Sequence, residues 1–361
     1  MKHTKLLSLA LLPILPALAA VTYSYDAAGR LSKVDYGNGT VISYTYDSAG
    51  NLLSRTAQGG TAPGVPSPVS SSPAGGSAMS QTFTFTFTDT AGAQNLQVVD
   101  VIVNNFLDGR HGCFIAFVPA TSSVLLVDDA GDAGGPYSGV VLPGTGTVQN
   151  SQCSISGAGS SVSTSGNTLT LVLAITFSAS FAGNKVLYMS AQDKSSLNSG
   201  WSALGTWNVP GTAPAGPWVS GMTPARTNSL GPTTYTFTFT DSNGFQDIAV
   251  ANVLINNFID GRHACYIAFV PATASVLLVD DAGDAGGPYS GMVLPGTATV
   301  SNSQCTITAA GSSVNGSGNS LTLTLSIAFN QSFAGNRVFY LAARSNTLNS
   351  DWQAAGSVSV P

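Results

Sequence analysis

The 361-residue chain is poor in charge, because charged residues make up 8 % of it, against about 25 % in typical soluble domains. All 17 acidic residues are Asp, the formal net charge is −5, and no polybasic cluster is present, which disfavours nucleic acid and anionic membranes as partners. Glu and Lys favour helices, whereas Thr, Val, Phe and Tyr favour strands. The scarcity of the first pair predicts an all-β protein.

The chain begins with a predicted signal peptide, residues 1–20. Two lysines precede an apolar run at residues 6–18, and Ala17-Leu18-Ala19 offers a small-residue cleavage pattern. A membrane anchor is the alternative, but the run contains two prolines and is shorter than the roughly 20 residues of a span. We therefore expect an exported protein, extracellular or at the cell surface, with the periplasm as the alternative destination and no transmembrane segment after cleavage.

Residues 21–56 contain the pattern Y-x-Y-D-x-x-G-[RN]-L twice, starting at Tyr23 and at Tyr44. Alternating tyrosines suit a half-buried strand, and Asp-x-x-Gly supplies a turn in which Gly can adopt positive φ. This segment resembles the YD repeat of the RHS family of bacterial secreted and surface proteins. The resemblance implies β-hairpins. Long arrays of these hairpins form a shell in the family, and two copies are too few for one.

The remainder of the chain is a duplicated unit. Residues 108–139 and 260–291 differ at three positions, Gly112/Ala264, Phe114/Tyr266 and Ser122/Ala274. Stretches rich in Gly, Pro and Ser predict linkers. The predicted boundaries are linker 57–65, module 66–210, linker 211–216 and module 217–361. Tandem copies of one module add avidity or reach, which favours a binding or spacing role over catalysis.

Hydrophobic residues inside each module recur with a period of two, as in Phe83, Phe85 and Phe87 and again in the run Thr168–Phe177. Such runs predict half-buried antiparallel strands, and about eight or nine of them per module predict a sandwich. The ends of each module also resemble bacterial Ig-like domains. Further strands are predicted over Gln97–Val103, Cys113–Val118, Ser123–Val127, Gln152–Ser156, Lys185–Ala191 and Ala203–Val209.

The four cysteines form two equally spaced pairs, Cys113 with Cys153 and Cys265 with Cys305. One pair per module in an exported chain predicts one disulfide per module. A metal site is the alternative, but the paired C-x-x-C spacing that would support it is missing.

A polar loop in each module is the first candidate binding site. Amide, carboxylate, guanidinium and imidazole groups can hydrogen-bond sugar hydroxyls, with Phe106 or Phe258 beside them. A structural loop held by an Asp–Arg pair is the alternative. The candidate residues are Asn105, Asp108, Arg110 and His111 in the first module and Asn257, Asp260, Arg262 and His263 in the second.

An Asp-rich loop in each module is the candidate metal site. Ca²⁺ takes six to eight oxygen ligands, and closely spaced carboxylates on a Gly-rich loop can supply several of them. The spacing does not match an EF-hand, and a polar turn in which Asp binds backbone amides is the alternative. The residues are Asp128, Asp129 and Asp132, and their counterparts Asp280, Asp281 and Asp284.

No catalytic residues are predicted. His111 and His263 lack an accompanying G-x-S-x-G elbow, and no Asp is marked as a general acid. Trp201, Trp207 and Trp352 could stack on sugars or belong to the core. Trp218 is the better candidate for an exposed ring, although packing is favoured there too. We therefore expect a non-catalytic adhesion or glycan-binding protein with a glycan or surface-protein partner. The alternatives are a spacer with Ca²⁺-stabilised loops and, more remotely, a hydrolase.

Overall fold

The computed structural model describes residues 21–35, 41–47, 52–58, 64–132, 134–212, 216–284 and 286–361. The predicted signal peptide lies outside this range, as do parts of both predicted linkers. By its contacts the chain divides into two units, residues 1–63 and residues 64–361. The described part is all-β, as predicted. Its helical segments are short 3-10 turns, and none of them has the length or the apolar character that crossing a membrane requires.

The first unit is a four-stranded antiparallel sheet in the order β1-β2-β3-β4. Its strands are β1 (Thr22–Tyr25), β2 (Leu31–Asp35), β3 (Val41–Tyr46) and β4 (Leu52–Gln58).

Residues of the YD pattern hold the two hairpins of this sheet together. The carboxylate of Asp26 accepts hydrogen bonds from the backbone N–H of Ala28 (3.0 Å) and of Arg30 (2.9 Å), which closes the first turn. The guanidinium of Arg30 lies 4.7 Å from the ring centre of Tyr46 and donates to the carbonyl of Asp47. The Tyr46 hydroxyl donates to the carbonyl of Leu31 at 2.9 Å. The side chains of each repeat therefore make contacts that stabilise the other repeat.

The second unit contains both modules, each built as two packed sheets. Their strand pairs are antiparallel except for the pair of Arg226–Asn228 with Gln353–Val360 in the second module, which is parallel. We call the sheet β10-β9-β8-β7-β14-β15 the front sheet of the first module and β11-β12-β13-β6-β5 its back sheet. The strands are β5 (Pro66–Ser72), β6 (Ser80–Asp89), β7 (Leu96–Asn104), β8 (Cys113–Val118), β9 (Ser123–Val127), β10 (Tyr137–Val141), β11 (Thr147–Gln149), β12 (Cys153–Ser165), β13 (Thr168–Phe177), β14 (Gly183–Asp193) and β15 (Ser202–Val209).

The second module repeats this arrangement, with the front sheet β17-β27-β26-β19-β20-β21-β22 and the back sheet β16-β18-β25-β24-β23. Its strands are β16 (Pro217–Thr223), β17 (Arg226–Asn228), β18 (Thr233–Asp241), β19 (Val250–Asn256), β20 (Cys265–Val270), β21 (Ser275–Val279), β22 (Tyr289–Val293), β23 (Thr299–Ser301), β24 (Cys305–Ser317), β25 (Ser320–Phe329), β26 (Gly335–Arg344) and β27 (Gln353–Val360). The 3-10 turns are Ala93–Asn95, Pro119–Thr121, Ala179–Phe181, Phe245–Asp247, Pro271–Thr273 and Gln331–Phe333.

Alternation along the strands produces the core of each sandwich. Phe83, Phe85 and Phe87 of β6 are fully buried, and Phe85 pairs in register with Leu171 of β13. Predicted strands match observed ones in most places, but β12 extends to Ser165 through a bulge after Ser156. Short edge strands such as β10 and β11 were not predicted, because they contain little hydrophobic alternation.

One disulfide joins the front and back sheets of each module, as predicted. Cys113 begins β8 in the front sheet and Cys153 begins β12 in the back sheet, with their Cα atoms 5.6 Å apart. Cys265 and Cys305 form the same link in the second module. A loop of this length restricts the unfolded chain, and the chain-entropy model assigns each bridge about 4 kcal/mol.

The two modules pack against each other through the outer faces of their front sheets, the faces turned away from the back sheets. We call this contact the module interface. It has near-twofold character, because the residues it buries are counterparts in the two copies. They are Ile102, Val186, Tyr188 and Ala203 from the first module, and Leu254, Val338, Tyr340 and Ala354 from the second, together with Ala264.

Polar and backbone contacts reinforce the module interface. The hydroxyl of Tyr188 faces that of Tyr340, and burial together with this neighbour raises the pKa of Tyr188. Arg226 donates to the carbonyl of Ala203 at 3.2 Å. At Gly75 the backbone comes so close to Ala225 that a Cβ on Gly75 would lie 2.4 Å from the Ala225 Cβ. The interface therefore tolerates no side chain at this glycine.

We predict that Gly75→Val separates the modules. Valine would overlap Ala225, so we expect the unfolding of the wild-type pair, followed by the fluorescence of the four tryptophans, to change from one transition to two. Gly231→Val is the matched control, because a Cβ at Gly231 meets nothing within 4 Å. If Gly75→Val unfolds in a single transition with the wild-type midpoint, the modules do not depend on the module interface as we describe it.

Candidate functional site

The predicted polar loops are held largely by their own hydrogen bonds. Asn104 donates to the carbonyls of Asp108 (2.8 Å) and Arg110 (3.2 Å), and Arg110 pairs with Asp108 at 2.7 Å while remaining 73 % exposed. Hydrogen bonds from Arg110 lower the pKa of Asp108. The second module repeats the pair, and Arg262 lowers the pKa of Asp260 to about 2. These contacts support the structural alternative, while the exposed guanidiniums stay available to a ligand.

The structure does not bring all the predicted loop residues together. The side-chain oxygen of Asn105 accepts from Lys185 at 2.7 Å, and that of Asn257 accepts from Arg337. The backbone N–H of His111 donates to the carbonyl of Asp129, and His263 makes the same bond to Asp281. Asp108 and Arg110 therefore form a pair from which Asn105 is turned away. A role for these residues in binding stays a prediction, as does the absence of catalysis.

The carboxylates of the Asp-rich loops make turn contacts. Asp128 accepts from the N–H of Ala130 and Asp132 from that of Gly134, while Asp129 accepts from both the N–H and the hydroxyl of Ser151. In the second module, Asp280 accepts from Ala282 and Asp281 from Ser303. Across the described residues, no group of three His, Cys, Asp or Glu is close enough to hold a metal. Calcium binding at Asp128, Asp129, Asp132, Asp280, Asp281 and Asp284 stays a prediction.

The tryptophans fall into three environments. Trp207 belongs to the core of the first module and donates its indole N–H to the carbonyl of Ala78 at 2.9 Å. Trp218 is half-buried and lines a cleft of about 780 Å³ between the modules. Trp201 and Trp352 lie on the outer faces of the front sheets, where Trp201 is 36 % exposed. Only the last pair combines a repeated position with an accessible ring.

A groove of about 530 Å³ runs over the outer face of the second front sheet. We call it the second-module groove. Alternation along the strands explains its lining, because residues next to core positions point outward: Asn252 lies between the core residues Ala251 and Val253, and Tyr266 between Cys265 and Ile267. Its aromatic and polar lining residues are Asn252, Tyr266, Tyr289, Arg344, Asn349, Asp351 and Trp352.

Aromatic rings form one wall of this groove. The rings of Tyr266 and Trp352 meet edge to face with centroids 5.9 Å apart, and both pack against the module interface. Tyr289 is 42 % exposed. Burial raises the pKa of Tyr266, the phenol of Tyr289 adds to that increase, and the positive charge of Arg344 opposes it. The charged and aromatic groups therefore share one small surface.

The first module presents a corresponding surface, which we call the first-module surface. Phe114 and Trp201 meet edge to face at 6.1 Å, and Tyr137 is 44 % exposed. Asp100 replaces Asn252, and burial raises its pKa to about 7. Strand register places Asp100 between Ala116 of β8 and Ser190 of β14, two uncharged neighbours.

Sequence reasoning singled out Trp201 and Trp352 but not their neighbours in the groove. The signal was present in the strand pattern: Phe114 and Tyr266 alternate with core residues and so place a large ring on the outer face. The polar partners Arg344 and Asp351 come from a strand end and a loop, which only the fold brings beside the aromatic rings.

Comparison with known proteins identifies the N-terminal segment. The family model described as "RHS Repeat" matches residues 25–62, which confirms the YD resemblance for that part of the chain. No curated protein matches the sequence. A solved structure titled "Marsupial T cell receptor" is similar at 13 % identity over 82 % of this chain and 72 % of that chain, but its TM-score of 0.21 carries no argument. The specific Ig-like resemblance of the modules stays a prediction.

We predict that Asp100→Asn removes a pH dependence of stability. Because the folded pKa of about 7 exceeds the 3.8 of an aspartate in the unfolded chain, the wild-type protein gains stability as the pH falls from above 7 towards 4. At pH 8 the variant, which carries the second module's residue, should therefore unfold at higher denaturant. Each pKa unit is worth about 1.4 kcal/mol, so about 4 kcal/mol is the upper bound.

The measurement is denaturant unfolding of wild type and variant at pH 8, 6 and 4, in which the difference should shrink towards zero. Comparing the two proteins cancels the titration of all other groups. An unchanged difference across this range would show that Asp100 titrates as an exposed carboxyl.

Proposed function

We propose that the chain is a non-catalytic exported recognition protein that binds glycans through the second-module groove and the first-module surface. The observation that carries the proposal is the repeated pair of partly accessible rings, Trp201 with Phe114 and Trp352 with Tyr266, each beside polar side chains. Aromatic rings offer an apolar face to a sugar ring, while amides and charged groups bind its hydroxyls.

Several features support the setting of this proposal. The RHS match and the two disulfides are consistent with an extracellular or cell-surface protein, because disulfides persist in oxidising compartments. Two fixed sites on one chain suit a polymeric ligand, since linked weak sites can raise overall affinity by about 10² to 10⁴. A surface protein carrying such glycans is an equivalent partner.

We predict that Trp201→Ala and Trp352→Ala each weaken glycan binding and that the double variant loses it. Removing one ring leaves a single weak site, so the affinity for the polysaccharide should fall about tenfold or more because avidity is lost. The measurement is binding of residues 21–361 to a broad polysaccharide panel. Near-ultraviolet circular dichroism checks that the packing beside the module interface survives.

Arg110→Ala with Arg262→Ala is the control, because it removes the exposed guanidiniums of the predicted polar loops and leaves both aromatic surfaces intact. Loss of binding in this control with full binding in the tryptophan variants would move the site to the loops. If the wild type binds no polysaccharide in the panel, a second candidate function, that of a rigid spacer, is favoured.

The second candidate function is a rigid spacer, which the buried module interface favours. In that role the protein binds no glycan, and Ca²⁺ at the Asp-rich loops would act as a stabiliser. A melting temperature that rises with Ca²⁺ and falls with chelator, without glycan binding, would support this candidate.

A further inference from the structure

The two copies differ in charge at the positions that line the aromatic surfaces. Although residues 108–139 and 260–291 are nearly identical, Arg344 of the second-module groove corresponds to Gln192, and Asn252 corresponds to Asp100. Asp351 at the rim corresponds to Gly200. The duplicated module has therefore kept its aromatic rings and changed the charges beside them.

Arg344 is placed to meet a ligand. It ends β26, its side chain is exposed, and it lines the groove together with Tyr266, close enough for its positive charge to oppose the burial-induced increase in the pKa of Tyr266. Among the described residues, the ion pairs join Arg30, Lys33, Arg110 and Arg262 to aspartates, and none of them includes Arg344. Its guanidinium thus faces the groove without a carboxylate in salt-bridge contact.

An arginine of this kind favours a carboxylate in the ligand. Guanidinium is planar and binds both carboxylate oxygens through two parallel N–H bonds, with more geometric specificity than a point charge. The neighbouring rings of Tyr266 and Trp352 favour the sugar ring that bears this carboxylate. On the first-module surface, Gln192 replaces this arginine, and Asp100 in its ionised form would repel the same group.

We propose that the second-module groove binds a carboxylate-bearing sugar, a uronic acid unit of an acidic polysaccharide, with Arg344 as the carboxylate partner. The inference rests on the proposed glycan-binding function and gives its ligand class. Asp351 opposes the ligand charge from the groove rim, so its removal should strengthen binding. The two modules then have different specificities, with the first selecting neutral sugars.

The test uses residues 21–361 with polygalacturonate and alginate, each compared with its methyl-esterified form, which keeps the backbone and loses the charge. The wild type should bind the acidic forms at least tenfold more tightly, and added salt should reduce that preference. Arg344→Gln should remove the preference, and Asp351→Gly should increase affinity several-fold. Both variants carry the first module's residue at a matching position, so both should fold.

Gln192→Arg is the reciprocal variant, which should give the first-module surface some affinity for the acidic forms. If binding depends on the tryptophans and yet is the same for acidic and esterified polymers and for Arg344→Gln, this inference is overturned and the glycan-binding proposal stays intact. If the protein binds none of the four polymers and no neutral polysaccharide, both this inference and the glycan-binding proposal are overturned. Equal binding to poly-aspartate would show that charge alone is recognised, which would overturn the sugar assignment.

Discussion

The organisation of this protein depends on the packing of two sheet faces that a single sandwich would leave exposed. The outer face of each front sheet carries buried apolar residues such as Val186 and Val338, and each copy covers the other. Because the contacting residues are counterparts, duplication of one gene segment supplies a complementary surface without a second protein. The Tyr188–Tyr340 pair lies at its centre of near symmetry, and the absence of a side chain at Gly75 lets the backbones approach.

This packing covers only part of each outer face, and the uncovered part carries the candidate site. Trp352 and Tyr266 touch the module interface on one side and line the second-module groove on the other. Recognition would therefore take place on rings whose positions are fixed by the core, which lowers the conformational entropy that binding must overcome. On this proposal, the divergence of Arg344 from Gln192 would change ligand preference without disturbing the fold.

The sequence predicted the class of fold because alternation, disulfide spacing and the YD pattern are local signals. It did not predict the module interface, although a signal exists in β7 and β14. These strands carry apolar residues on both faces, as in Val101-Ile102-Val103, and a continuous run indicates a strand buried on both sides. Local sequence patterns could not predict the second-module groove, because Asn252, Arg344 and Trp352 line it only after three separate chain segments have folded together.

The most direct test of this account is the distribution of distances between the two modules in solution. Spin labels at Asn167→Cys and Asn319→Cys would report it, since both asparagines are exposed, occupy equivalent turns and lie away from the interface residues named above. The account predicts one narrow distance that broadens when Gly75→Val is added. A broad distribution in the wild type would show that the modules move independently, and would contradict the rigid pairing on which the two-site surface depends.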